Sequence, residues 1–138
     1  GSEMCIRDSL QYLTSVPAWY LATCVDNKPH VRPFSFATIE DEKIWFITAR
    51  HKDVWEELVA NPEFEACSWW PGHGWLILNG RAQEGDVSNQ VRQEGYDHLT
   101  MLGEVYDGPK DPDLVFFYAD GLKARIDNHD GTSKFFEL

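Results

Sequence analysis

No run of apolar residues in this chain approaches the roughly 20 that a membrane-spanning helix requires. Basic residues are scarce as well: 12 Lys and Arg stand against 23 Asp and Glu, a formal net charge of −11. Binding to nucleic acid rests on Lys and Arg neutralising phosphates, so this surface repels nucleic acid and anionic membranes alike. Only three cysteines occur, Cys5, Cys24 and Cys67, an odd number without paired spacing. They read as free thiols in a reducing compartment. With no Asn-x-Ser/Thr acceptor and no visible signal peptide, the expectation is a cytoplasmic protein. Several catalytic signatures are also missing. There is no glycine-rich dinucleotide fingerprint, no Walker loop and no Gly-x-Ser-x-Gly elbow. There is no His-Glu-x-x-His helix and no Cys-x-x-Cys pair, and Cys67 with His73 supplies only two ligands where zinc needs more.

What the chain has is a hydrophobic share of 43% and an aromatic share of 14% over 138 residues. That suits one packed domain, 1–138, which buries about two thirds of its unfolded surface and needs no disulfide or metal to fold. Arg7 to Val16 reads as a first helix, stopped by Pro17. Trp19–Val25, Val31–Ile39 and Ile44–Thr48 read as three strands of an antiparallel meander, turned at residues 26–29 and 40–42. From Lys52 to Ala60 the period changes. Val54 and Leu58 lie four apart, as do Trp55 and Val59, which is helical spacing ended by Asn61-Pro62. Phe64–Trp70 and Trp75–Gln83 are strands around the turn Pro71-Gly72-His73-Gly74. Asp86–Leu102 is a helix interrupted by Gly95. Leu114–Ala119 and Leu122–Asp127 form a hairpin around Asp120-Gly121, and Lys134–Leu138 adds a last short strand. So many antiparallel strands favour closure into a barrel, which removes exposed edges. The expected class is mainly β, a β-barrel with peripheral helices.

On this acidic chain one segment concentrates positive charge. The two-residue period places Arg32 on the same face as Phe34 and Phe36, and Pro33 withholds an amide from the ladder. Further on, Thr48 is followed by Ala49, Arg50, His51 and Lys52, with Lys52 at the start of a helix. Free amides at a helix start favour an anion, whereas basic neighbours there are unfavourable without one. If the second and third strands are hairpin neighbours, Arg32 and Lys52 converge on one phosphate, the first as a planar fork and the second as a point charge. The alternative is structural: Arg32 pairs with a surface carboxylate and Lys52 with Glu56 at helical spacing.

The blocks Pro29-x-Val31-Arg32-Pro33-Phe34 and Trp45-Phe46-Ile47-Thr48 to Lys52-Asp53-Val54 resemble consecutive motifs of the pyridoxamine 5′-phosphate oxidase-like FMN-binding split-barrel superfamily. Asn61-Pro62, Phe64 to Cys67 and Trp75 to Ala82 continue in the same order, so the likeness runs from about Trp19 to Gln83, and more weakly from Asp113 to Phe136. The resemblance implies an FMN-binding split β-barrel, antiparallel, assembled as a homodimer with FMN at the subunit interface. It places Arg32, Pro33, Phe34 and Ser35 along the flavin and phosphate. Thr48 and Ala49 would lie on the flavin or ribityl chain, His51 and Lys52 on the phosphate, and Trp75 near the cofactor. Trp69 and Trp70 flank the same turn as Trp75, and a flavin ring is a flat apolar surface on which Trp can stack. One of the two, taken as Trp70, is expected to reach the partner's flavin site.

Two positions depart from the family pattern. Many relatives carry Arg where Ile77 stands, and the true oxidases end in a Trp- and Arg-containing segment where this chain ends Lys134-Phe135-Phe136-Glu137-Leu138. Oxidation of pyridoxamine phosphate is therefore not expected. The expected function is an FMN-dependent oxidoreductase passing hydride or electrons between a reduced nicotinamide and a small molecule, the flavin carrying the redox chemistry. No side chain announces itself as acid or base. The alternatives are a non-catalytic FMN or electron carrier, or the same barrel binding a deazaflavin or haem, with His30, His51 and His73 as conceivable haem ligands.

Overall fold

The computed structural model describes residues 6–138. It contains α1 (Ile6–Thr14), β1 (Trp19–Val25), β2 (Lys28–Phe34), β3 (Thr38–Glu40), β4 (Lys43–Ala49), α2 (Asp53–Ala60), β5 (Glu63–Trp70), β6 (Gly74–Glu84), α3 (Asn89–Met101), β7 (Leu114–Asn128) and β8 (Ser133–Glu137). The strands form one antiparallel sheet in the order β2-β1-β5-β6-β7-β4-β3, with β8 paired to β7 off that path. Cys24 and Cys67 are free thiols; Cys5 lies outside the described residues.

The sheet curls because its two ends are tied by a short link. β2 and β3 stand at opposite ends of the strand order, yet only Ser35, Phe36 and Ala37 separate them. Four residue steps reach at most about 14 Å, so the ends must face one another. No ladder joins β2 to β4 among the described residues. The barrel is thus closed by packing across a gap rather than by hydrogen bonds, a split barrel. This corrects the meander expected for the second and third strands. Val31–Ile39 is not one strand: it breaks after Phe34, and β3 departs to pair with β4 (Thr38↔Trp45 to Glu40↔Lys43).

Tight turns set the hairpins at both ends. Asp26 and Asn27, with φ of 52° and 62°, join β1 to β2, and Asp41 and Glu42, at 54° and 58°, join β3 to β4. Two successive left-handed residues match the twist of flanking strands. The second expected hairpin does not exist. Leu114 to Asn128 is one strand, and β6 pairs along nearly all of it, from Glu84↔Phe117 to Gly74↔Asn128. Asp120-Gly121 marks a bulge where the register shifts between Asn79 and Arg81, and Gly121 adopts φ 63°. A glycine in the left-handed region bends a strand as readily as it turns one.

Two apolar cores share β4 and β7. Ile44, Phe46, Val115 and Phe117 point into the barrel, where they meet Trp19, Leu21, Phe64, Leu76 and Leu78. Trp45, Ile47, Leu114 and Phe116 point the other way and pack under Val91 and Leu99 of α3. Residues Ile44 to Ala49 are therefore all buried, the continuous pattern of a strand covered on both faces. Ser88 caps α3 by accepting from the Val91 amide at 3.2 Å, so the helix starts after the expected Asp86.

The interruption at Gly95 is a close approach. A Cβ there would stand 2.9 Å from Ile47 Cδ1 and 2.9 Å from Phe116 Cζ. Gly95→Ala gains about 1 kcal/mol of helix propensity but forces α3 off the rigid Phe116 ring, a strain of roughly 1–3 kcal/mol. The expected net result is destabilisation by about 1 kcal/mol, read as a lower urea midpoint; a raised midpoint would refute the close-packing account.

Candidate functional site

The gap between the sheet ends holds a pocket of about 170 Å³. β2 and the link after it contribute Arg32, Pro33, Phe34, Ser35 and Phe36; β4 contributes Ile47 and Thr48; Lys52 and Val54 enter from the start of α2. α3 and its exit cover it with His98, Leu99, Leu102 and Glu104. Its walls are largely aromatic and aliphatic, with a few polar groups aimed inward, as small-molecule sites commonly are. An open groove lined by His30, Arg32, Lys52, Val54 and Glu57 adjoins it. Arg32 and Lys52 therefore stand where pocket and groove meet.

Both cations have carboxylate partners. Arg32 is ion-paired with Glu57 of α2. It also donates to Thr23 Oγ1 at 2.9 Å and to the Leu21 carbonyl at 3.3 Å. Thr23 in turn donates to the same Glu57 oxygen at 2.5 Å. Burial works to raise the Glu57 carboxyl, but the hydrogen bonds from Thr23 and Arg32, with the Arg32 charge, outweigh it and hold it below its ordinary range. Lys52 Nζ lies 2.7 Å from Glu104 Oε1, and Tyr106 donates its hydroxyl to that oxygen at 2.6 Å. The structural alternative thus holds in kind but with other partners: Glu57 in place of an unspecified surface carboxylate, and Glu104 in place of Glu56. Lys52 also occupies the N-cap of α2, with no side-chain cap on the first-turn amides, so the helix presents its positive end here.

Of the ten expected site residues, six line the pocket: Arg32, Pro33, Phe34, Ser35, Thr48 and Lys52. Ala49 is fully buried behind it, paired with Leu114. His51 faces the loop before β7, its Nδ1 2.5 Å from Asp113 Oδ2, and Arg50 is bound by Glu84 of β6. Trp70 packs edge-on against Tyr12 with centroids 5.2 Å apart and stacks on His73 at 3.6 Å. Trp75 and Trp69 are exposed on the outer face of the sheet. None of His30, His51 and His73 lines the pocket, and among the described residues no group of three potential ligands could hold a metal.

One pocket histidine escaped the sequence reading. His98 lies three and seven residues after Gly95 and Val91, which places it beside the core face of α3. Its Nε2 is 2.6 Å from Ser35 Oγ, and its ring is 5.6 Å from that of Phe36. Burial lowers its pKa, opposed by the charge of Glu104. The His98 ring and the Ser35 hydroxyl form a polar pair among Phe36, Ile47 and Leu99. Helical spacing carried that signal.

A curled antiparallel sheet, split between β2 and β4 and lined at the split by two cations and an aromatic wall, defines a split-barrel protein. The chain belongs to the pyridoxamine 5′-phosphate oxidase-like family: the family model described as Pyridoxamine 5′-phosphate oxidase matches residues 7–125. A NimC/NimA family protein from Clostridium acetobutylicum has a similar fold, with a TM-score of 0.83 at 22% identity, covering 96% of this chain and 92% of that one. General Stress Protein 26 from Bacillus anthracis aligns with a TM-score of 0.70 at 16% identity, over 98% of this chain and 100% of that one. A pyridoxamine 5′-phosphate oxidase-related, FMN binding protein from Nostoc punctiforme gives 0.55 at 16% identity, over 95% and 90%. No curated protein matches the sequence. Among the described residues, no helix is long and apolar enough to cross a membrane.

Proposed function

We propose that this chain binds FMN at the split of the barrel and acts as an FMN-dependent oxidoreductase, two copies completing the site. The observation that carries the reading is the meeting of Arg32 and Lys52, from opposite ends of the sheet, at one edge of a pocket whose wall is Phe34, Phe36, Ile47 and Leu99. A flavin phosphate asks for the cations, its ring for the apolar wall, and its polar edge and ribityl chain for Ser35, Thr48 and His98. The group supplies the redox chemistry when bound; the chain binds it, orients it and limits the access of water.

The second copy is supported by two features. At about 170 Å³ the pocket is smaller than the roughly 300–1,000 Å³ of ordinary ligand sites, so one chain encloses only part of a flavin. Beside it, the outer face of the sheet carries a row in register across six strands: Pro33, Tyr20, Cys67, Ile77, Arg125 and Phe135. The exposed Trp69 and Trp75 pair in the next row. Contiguous exposed aromatics mark association surfaces, and Pro33 belongs to both the row and the pocket. Arg125, in register with Ile77, sets a guanidinium on the strand beside the position where many relatives have Arg. Trp69, at 69% exposure, is better placed than Trp70 to enter a partner's site.

Trp69→Asp is accordingly expected to shift the protein from dimer to monomer in sedimentation equilibrium and to weaken FMN binding more than about tenfold. A monodisperse dimer with unchanged affinity would remove Trp69 from the interface. Catalysis is tested by anaerobic reduction of bound flavin with NADH or NADPH, then turnover with small acceptors. Turnover supports the enzyme; a stable FMN complex that no nicotinamide reduces supports a carrier.

A further inference from the structure

The two cations at the split do not stand free, and the carboxylate on Lys52 is held differently from the one on Arg32. Glu57 belongs to α2 and is fixed three ways, by Arg32, Thr23 and the helix itself. Glu104 lies outside any element, three residues after the end of α3, on a short surface segment between the exposed Leu102 and Val105. Its side-chain partners are Lys52 and Tyr106. Glu104 and Lys52 both line the pocket, so the carboxylate sits where an anion bound to Lys52 would sit.

Resting on the FMN reading above, we propose that Glu104 is the resident counter-ion of Lys52, which the phosphate of the incoming ligand displaces. The exchange sets what the site selects. A ligand must offer Lys52 more than the carboxylate it replaces, and a phosphomonoester carries nearly two negative charges and three acceptor oxygens where Glu104 carries one charge and two. A singly charged carboxylate ligand gains nothing by the exchange, and an uncharged one leaves the pair intact. The released Glu104 keeps the Tyr106 hydroxyl and lies on a segment already at the surface, so its departure breaks no helix or strand. The Lys52–Glu104 pair also shields the lysine from adventitious anions.

The groups facing Glu104 are Lys52 before α2, His51 at the exit of β4, His98 on α3 and Tyr106 on its own loop. Burial works to raise its carboxyl, and the hydrogen bonds from Lys52 and Tyr106 override that. When a phosphate takes Lys52, the carboxylate loses its strongest support.

The test compares the affinities of the full chain for FMN and riboflavin, by quenching of flavin fluorescence, in wild type, Glu104→Gln and Tyr106→Phe. Glu104→Gln is expected to tighten FMN binding roughly tenfold and to leave riboflavin within about twofold. Tyr106→Phe, which removes a hydrogen bond that Glu104 keeps in both states and leaves its charge in place, is expected to leave FMN binding within about twofold. Should Glu104→Gln fold poorly, Glu104→Ala gives the same sign. FMN binding that is unchanged or weaker in the Glu104 variants, while riboflavin still binds more weakly than FMN to the wild type, overturns the counter-ion and leaves the FMN site standing. A wild type that binds neither flavin overturns both.

Discussion

Lys52→Met is expected to weaken FMN binding by about 2 kcal/mol, roughly 30-fold, and riboflavin binding by less than about twofold. The two flavins differ in the phosphate alone, so the difference isolates that group. Lys52 is the cleaner of the two cations to remove. Its side chain is about one third exposed and touches Glu104, whereas Arg32 also organises Thr23, Glu57 and the Leu21 carbonyl. Arg32→Ala would therefore mix lost ligand contact with a half-buried carboxylate stripped of its partner, a cost that falls on folding as well. Methionine keeps the aliphatic stem that lines the pocket and deletes the charge. Added salt should narrow the wild-type preference for FMN and leave the variant's preference nearly flat. Equal losses for FMN and riboflavin would assign Lys52 to the fold instead of the phosphate.

The largest expected effect on stability is at Phe117. Its ring is fully buried at the centre of the barrel. It meets Phe46 at 5.3 Å, Trp55 at 5.8 Å, Phe64 at 6.3 Å and Phe34 at 6.4 Å between centroids. These rings come from β4, α2, β5 and β2, so one side chain of β7 braces elements on both sides of the split. Phe117→Ala should cost about 3–5 kcal/mol, the transfer term plus the cavity term. Against a total stability of roughly 5–15 kcal/mol that is a large share, and it should lower Tm by about 10–15 °C. Phe34 packs edge-on against Phe117 and lines the pocket, so the surviving folded protein should bind FMN less tightly as well. A loss under about 1.5 kcal/mol would mean that the barrel interior relaxes around the missing ring and is not the close-packed centre described here.

Local patterns carried much of the fold. β1 was legible to the residue because the stretch from Trp19 to Val25 is rich in aromatic and β-branched residues and is followed by the turn residues Asp26 and Asn27. α2 was legible from apolar residues four apart and from Asn61-Pro62 behind it. Pairing over long separations was not. Asp120-Gly121 carries the composition of a hairpin turn. Only the length of β6, which needs a partner from Gly74 to Glu84, makes it a bulge inside β7. The break of Val31–Ile39 at Ser35 has the same origin, since nothing local says that β3 must leave β2 and cross to β4. The site shows both sides of this. Arg32 and Lys52 stood out as charge on an acidic chain, and they do line one pocket, but across the split of a curled sheet and not as hairpin neighbours. Their partners Glu57 and Glu104, lying 25 and 52 residues further along the chain, were hidden among 23 acidic residues. His98 was available from its spacing on α3 and went unread because nothing in the sequence says which helix covers the pocket.

The central claim is that the split of this barrel is an FMN site. The most direct measurement is the absorption spectrum of the full chain after incubation with FMN and removal of free ligand. The account predicts retained flavin bands near ~370 and ~450 nm, displaced and structured relative to free flavin as a protein environment retunes the ring, at a stoichiometry of one FMN per chain. A colourless protein that takes up no FMN would contradict it.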